Sequence, residues 1–268
     1  MKLILFSGSH PRHLYVNSEI IKHFDEKLVI VMQREELVPS PPENLTTHDK
    51  KLFTKHFANR NKIEVDTYGH LNAEQVYKNC NTIFINPSEL NSQKIAKKVK
   101  QFNADFCFIF GSNLILDPVI ENLPQNKINL HLGLSPWYKG AATLYWPFYN
   151  LKPQYCGVTF HQISKQADGG EIIHQSVPVL KKGDTIHDVG AKCVIQAKDD
   201  IDKLISHLKI KKKFKGKIQN ISGRNWQENE FHASQLRVIY DLFKDKIVDN
   251  YLSKTLDQKK PKLFSCLK

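Results

Sequence analysis

Short, nearly continuous apolar runs recur along the first half of the chain. KLILF (Lys2 to Phe6), LVIVM (Leu28 to Met32), TIFI (Thr82 to Ile85), DFCFIF (Asp105 to Phe110) and KINLHL (Lys127 to Leu132) have strand length and little alternation, as strands buried on both faces do. Longer stretches with a helical pattern separate them: Leu14 to Phe24, Ser88 to Phe102 and Asp117 to Asn122. A Pro-rich loop, VPSPPEN (Val38 to Asn44), leads into a helix-like segment, Thr46 to Asn59. Alternation of this kind predicts an α/β fold, a mostly parallel, Rossmann-like sheet with helices on both faces.

After Pro153 the pattern changes. GVTFHQI (Gly157 to Ile163) and EIIHQSVPVL (Glu171 to Leu180) read as two strands joined by a loop containing ADGG. A long amphipathic helix follows, capped near Asp184 and running to about Leu208. The basic run Lys209 to Lys217 then opens a tail in which Ala233 to Phe243 has helical spacing, with Leu236, Ile239, Tyr240 and Phe243 apolar. The expected division is a core over residues 1–208 and, over 209–268, a basic linker with a small C-terminal extension.

Composition narrows the class. With 41% hydrophobic and 25% charged residues in 268, global disorder is excluded. No apolar stretch approaches the roughly 18 residues of a membrane-spanning helix, so no membrane insertion is expected. The opening MKLILFSGSHPRH is too short in its apolar part for a signal peptide and reads as a first strand. The five cysteines are scattered without a CxxC pair, which argues against a disulfide framework and for a reducing cytoplasm. A net charge of +12 points weakly to a phosphorylated ligand, because part of the surplus lies in the solvated-looking run Lys209 to Lys217.

Open parallel sheets bind ligands beyond the carboxyl ends of their strands. The first such end is SGSHPRH (Ser7 to His13), a small-residue turn opening a helix, where free backbone N–H groups favour anions. Ser9, His10 and Arg12 are its candidate substrate-phosphate contacts. The plainer reading is that Pro11 starts the helix and Arg12 is solvated. The segment NLHLGLSPWYKG (Asn129 to Gly140) is sharper. On a strand Asn129 and His131 share a face, roughly 6–7 Å apart, with Ile128, Leu130 and Leu132 facing the other way. An amide can donate to a developing oxyanion and an imidazole can take a proton near neutral pH. Asp168, on a Gly-rich turn in QADGGEII (Gln166 to Ile173), would fix the tautomer of His131 if placed beside it. Alone, Asp-Gly is ordinary turn chemistry.

In combination these motifs are recognisable. Asn129-Leu130-His131, the turn from Ser135-Pro136 to Lys139-Gly140, and Asp168-Gly169-Gly170 some 37 residues after the histidine resemble the folate-dependent formyltransferase family, over roughly residues 80 to 205. The resemblance implies a Rossmann-like formyltransferase core and N10-formyltetrahydrofolate as formyl donor. It implies that Asn129 stabilises the oxyanion, that His131 assists there or takes the ammonium proton, and that Asp168 orients His131. By the same resemblance Phe110, Gly111, Asn113, Leu114 and Ile115, with Asp168, line the pterin pocket, and Lys139 joins the substrate contacts. The C-terminal 60 residues fit the branch acting on nucleotide-linked amino sugars of bacterial surface polysaccharides better than the other branches. That region is shorter than a full tRNA-binding domain and longer than glycinamide ribonucleotide transformylases need.

The expected partner is therefore a small molecule rather than nucleic acid, with a homodimer compatible and no metal required. No histidine spacing suggests zinc. Two alternatives stay open: action on methionyl-tRNA or another small amine, and a non-catalytic folate- or nucleotide-binding module. The chain departs from the family pattern in Gly133-Leu134-Ser135-Pro136, in Lys139 where arginine is common, and in Thr143 where proline is frequent.

Overall fold

The structure is a computed structural model that describes residues 1–33, 37–220 and 223–267. Its strands are β1 (Lys2–Gly8), β2 (Glu26–Met32), β3 (Asn81–Ile85), β4 (Phe106–Phe110), β5 (Asn126–His131), β6 (Tyr138–Gly140), β7 (Val158–Gln162), β8 (Ile172–Ser176) and β9 (Arg224–Trp226). Its α-helices are α1 (Pro11–Ile20), α2 (Thr47–Tyr68), α3 (Ala73–Val76), α4 (Gln93–Phe102), α5 (Trp146–Tyr149), α6 (Ile186–Lys211) and α7 (Ile247–Leu252).

Seven strands form one sheet in the order β3-β2-β1-β4-β5-β7-β8. The first five are mutually parallel, and β7 and β8 add antiparallel at one edge. The two faces are visible in β1. Leu3 and Leu5 belong to one apolar cluster with the buried side of α6, while Ile4 and Phe6 belong to another with Ile95 and Val99 of α4. Period-two alternation thus divides an all-apolar strand between two helix layers.

Local chemistry starts the helices where they start. The Thr185 hydroxyl accepts from the Asp188 N–H at 3.2 Å, and the Asp188 carboxylate accepts from the Thr185 N–H at 2.9 Å. This reciprocal cap opens α6, which then buries Val189, Val194, Ala197, Ile201, Leu204 and Leu208. Burying one such leucine is worth about 1.5–3 kcal/mol, so Leu204→Asp would undo this face. Thr46 caps α2 through its hydroxyl, which accepts from the Asp49 N–H at 3.1 Å.

Several expected helices are shorter or divided. Asp117–Asn122 holds only a 3₁₀ turn over Ile120–Asn122, because Pro118 and a six-residue length leave too little chain to nucleate an α-helix. Ser92 caps α4 at Gln93, so the pattern from Ser88 divides there. Ala233 to Phe243 forms a 3₁₀ turn (Ala233–Gln235) and a π turn (Val238–Leu242) that still bury Leu236, Ile239 and Tyr240. In the other direction, α2 continues beyond Asn59 to Tyr68 and α6 beyond Leu208 to Lys211.

The C-terminal segment packs on the core. β9 pairs parallel with β6, and Lys217 and Ser265 bridge to β8, so the outer edge strand of the sheet is partly covered. Among the described residues, no helix is long and apolar enough to cross a membrane.

Candidate active site

The strand order turns back on itself between β1 and β4, and ligand crevices form beyond the carboxyl ends of strands at such a point. A cavity of about 320 Å³ opens there, at the lower end of the range for small-molecule sites. Its walls come from the start of α1 (Arg12 and His13), from Ile109–Ile115, from β5, and from the 161–168 segment. The segment predicted to face a pterin is therefore one wall. Gly111 is in the left-handed region at φ +89°, and a Cβ there would lie 2.6 Å from the His13 ring. His13 packs edge-on against Phe110, ring centres 4.8 Å apart, and so ties the first turn of the chain to this wall.

Strand β5 presents Asn129 and His131 to the cavity and buries Ile128 in the apolar cluster behind, but Leu130 and Leu132, expected on the far face, also contribute to the cavity lining. Asp168 closes the group, its Oδ2 3.3 Å from His131 Nδ1. His131 Nε2 lies 2.9 Å from the Tyr138 carbonyl, so that nitrogen carries the proton it donates there. Both ring nitrogens thus face oxygen atoms, the Tyr138 carbonyl on one side and the Asp168 carboxylate on the other. The Gly140 N–H donates to Asp168 Oδ2 at 2.8 Å.

A residue the sequence reading did not single out sits in the centre. His161 lies directly opposite Asn129 in the antiparallel β5–β7 pair. Its Nδ1 donates to the Gln162 carbonyl at 2.8 Å, and its Nε2 is 3.1 Å from Asn129 Nδ2 and 3.3 Å from Asp168 Oδ1. Burial would push the Asp168 carboxyl up. The charges of His131 and His161, the hydrogen bond to His161 and the Gly140 N–H together outweigh burial and hold it well below the usual carboxylate range. Asp168 is therefore an anion shared by two imidazoles.

The predicted substrate contacts are dispersed. Arg12 lines the cavity, but it is neither solvated nor uncommitted. Its guanidinium pairs with Glu64 of α2 and donates to His10 Nδ1 at 2.9 Å. Ser9, His10 and Lys139 are not among the cavity's lining residues; Lys139 stands on β6 opposite Asn225. No spacing in the sequence suggested a metal site, yet Glu19, His23 and Asp202 bring three ligand atoms within 4.8 Å of one another. Glu19 is already paired with Lys22 there, at 2.8 Å.

Fold and cavity together define an α/β domain with a polar crevice beyond the carboxyl ends of its strands. The chain belongs to the formyl transferase family, whose profile (Formyl transferase) matches residues 39–202, and it carries that family's domain. A methionyl-tRNA formyltransferase of Azobacteroides pseudotrichonymphae genomovar. CFP2 is 34% identical over 125 residues, 44% of this chain and 38% of that relative. The chain thus matches well under two thirds of that relative's length. A sugar N-formyltransferase from Shewanella sp FDAARGOS_354 has a similar fold, with a TM-score of 0.57, 16% identity and coverage of 86% of this chain and 78% of that one. So does an N-formyltransferase from Helicobacter canadensis, solved in complex with folinic acid and dTDP-3-aminofucose. Its TM-score is 0.51 and its identity 22%, over 87% of this chain and 72% of that one.

Proposed function

We propose that this chain transfers a formyl group from N10-formyltetrahydrofolate to the primary amine of a nucleotide-linked amino sugar. The observation that carries the reading is Asn129, His131, His161 and Asp168 meeting on the wall of one cavity, with 3.3 Å between His131 Nδ1 and Asp168 Oδ2. In the reaction the neutral amine attacks the formyl carbon, the carbon–N10 bond breaks, and the amine's proton is balanced by one delivered to N10. Asn129 Nδ2 lies 3.1 Å from His161 Nε2 on the cavity wall, and an N–H of this amide is suited to the oxyanion. His131 and Asp168 hold or move the proton at the Nδ1 edge, across the 3.3 Å between them.

The folate fits the wall formed by Phe110, Gly111, Asn113, Leu114 and Ile115, where the positive φ of Gly111 brings backbone to the surface. The sugar-nucleotide assignment is supported by the Helicobacter canadensis protein, which was solved with dTDP-3-aminofucose, and by Arg12 in the cavity lining. A charged hydrogen bond from Arg12 to phosphate would be worth roughly 1.5–3 kcal/mol, and it would have to compete with Glu64. The 34% identity to a methionyl-tRNA formyltransferase favours a second reading, formylation of an aminoacyl-tRNA with the Lys209 to Lys217 run on its phosphates.

The test is to incubate the chain with N10-formyltetrahydrofolate and amino sugars on dTDP, UDP and GDP, and separately with methionyl-tRNA, and to follow the products by mass spectrometry. A formylated sugar nucleotide is expected. Formylated methionyl-tRNA alone would replace the first reading by the second, and donor binding without any product would leave the non-catalytic module.

A further inference from the structure

The Asp168 carboxylate is aimed by a loop, and that loop is held from outside the segment matched by the family. Asp168 itself has φ +47°, a conformation tolerated by aspartate but unfavourable without support. The support is Gln219, 51 residues downstream and 17 beyond the end of the matched region at residue 202. Its side-chain amide donates to the Asp168 carbonyl at 2.8 Å and to the Gly170 carbonyl at 2.7 Å. Two carbonyls on one side fix the amide's orientation, because the flipped form would set three oxygens together.

The same segment goes on to brace the other partner of the carboxylate. β9 pairs with β6, whose Tyr138 carbonyl receives the His131 Nε2 proton and whose Gly140 N–H reaches Asp168. Gly140 has φ +86°, and a Cβ there would lie 2.1 Å from the Trp226 carbonyl. Trp226 in turn stacks on Trp146, ring centres 3.9 Å apart. The C-terminal segment thus contacts the Asp168 loop through Gln219 and, through β9, the strand that carries Tyr138 and Gly140.

We infer that Gln219 is a positioning residue for the reaction, holding the Asp168 loop in place by its two hydrogen bonds. The inference rests on the formyl-transfer reading, because it assumes that the Asp168–His131 geometry limits turnover. A displacement of about 1 Å at a reacting group can cost on the order of 100-fold.

The experiment compares Gln219→Ala and Gln219→Glu in the full chain. Glutamate keeps the shape but supplies no N–H donor when ionised, so it separates donation from packing. Both variants should lose at least about tenfold in kcat with thermal stability near the parent's. Neither should cost anything further in an Asp168→Ala background, since a residue acting through Asp168 has nothing left to position. A loss confined to Gln219→Ala, or a loss of equal factor in the Asp168→Ala background, would overturn the inference. So would kcat within threefold of the parent for both variants.

Hydrogen exchange at the Gly140 amide reads the same geometry without any turnover. It should quicken in both variants, and unchanged protection would overturn the inference. If the parent chain forms no formylated product, the functional reading has failed, and Gly140 exchange alone decides the role of Gln219.

Discussion

Two of the buried histidine pairs are built in opposite ways. His131 and His161 share the Asp168 carboxylate at the cavity. His56 and His187 lie with ring centres 4.5 Å apart and share the Tyr240 hydroxyl, at 2.9 Å and 3.2 Å. Burial, reinforced by the neighbouring Arg60 charge, pushes His187 down to about 3, while Asp188 pulls weakly the other way. Burial likewise, with His187 and Arg60, puts His56 well below the usual histidine range. Burial beside a cation therefore makes a histidine a neutral packing residue that hydrogen-bonds, whereas His131 and His161 each face an anionic carboxylate. The comparison explains why histidine content alone, twelve in this chain, says little about where chemistry resides.

The largest expected break in the comparison is at the carboxylate. Asp168→Ala should cut turnover by roughly 10²–10⁴-fold, the usual worth of acid–base assistance, with the fold retained. His187→Asn should leave turnover within about threefold. Steady-state rates of the two purified variants, with circular dichroism as the check on folding, decide it. Equal losses would erase the distinction between the pairs.

Next comes the pH dependence of stability, which the packing pair should dominate. Unfolded histidine titrates near ~6.5, and folded His187 only near about 3. Over that window the unfolded chain binds more protons, so stability falls as pH falls. Asp245, which accepts from the Ile186 N–H at 3.1 Å, works in the opposite direction, because burial raises it to about 6. Folded Asp245 takes up a proton that the unfolded chain does not hold until near ~3.9, and this cancels about one histidine's contribution. With His56 also held low by burial, the net effect should be a fall in stability as pH drops from roughly 6 to 4, each net proton being worth about 1.4 kcal/mol per pH unit. Asp168 adds its loss only below about pH 4, where the unfolded carboxyl protonates. Urea unfolding at half-unit pH steps measures this; His187→Asn should flatten the slope, and an unchanged slope would assign it elsewhere.

The smallest effect sharpens the same point. Tyr240→Phe removes the hydroxyl that serves both packing histidines and leaves buried nitrogens unsatisfied, at a cost of about 1–3 kcal/mol. Chemical denaturation should show that loss while turnover stays within about twofold. A variant as stable as the parent would mean that the two imidazoles find other partners.

One member of the cavity pair was legible in sequence, and the packing pair was not. Asn129 and His131 stand two apart on an apolar strand, so period-two geometry puts them on one face before any fold is known. Asp168 was found through its motif and its distance in sequence. His161 lies in an equally readable strand, but its position opposite Asn129 follows only from the antiparallel β5–β7 register, which alternation does not encode. Arg12 looked like a solvated or phosphate-binding residue because its partner Glu64 is 52 residues away on α2. Gln219 was invisible for the same reason, lying in a segment read as a basic linker. Strands and their core faces could be read from local pattern. Short helices could not, because propensity over six residues is outweighed by capping and tertiary contact.

The central claim is tested most directly by following the formyl carbon itself. The full chain, alongside His131→Asn, is mixed with N10-formyltetrahydrofolate labelled in the formyl carbon and an amino sugar nucleotide accepted by the parent. Mass spectrometry then measures label in the sugar product against time. The account predicts label on the amine in the parent reaction, formed at least about 100-fold faster than by His131→Asn. Equal rates for the two proteins, or label released only as free formate by the parent, would contradict it.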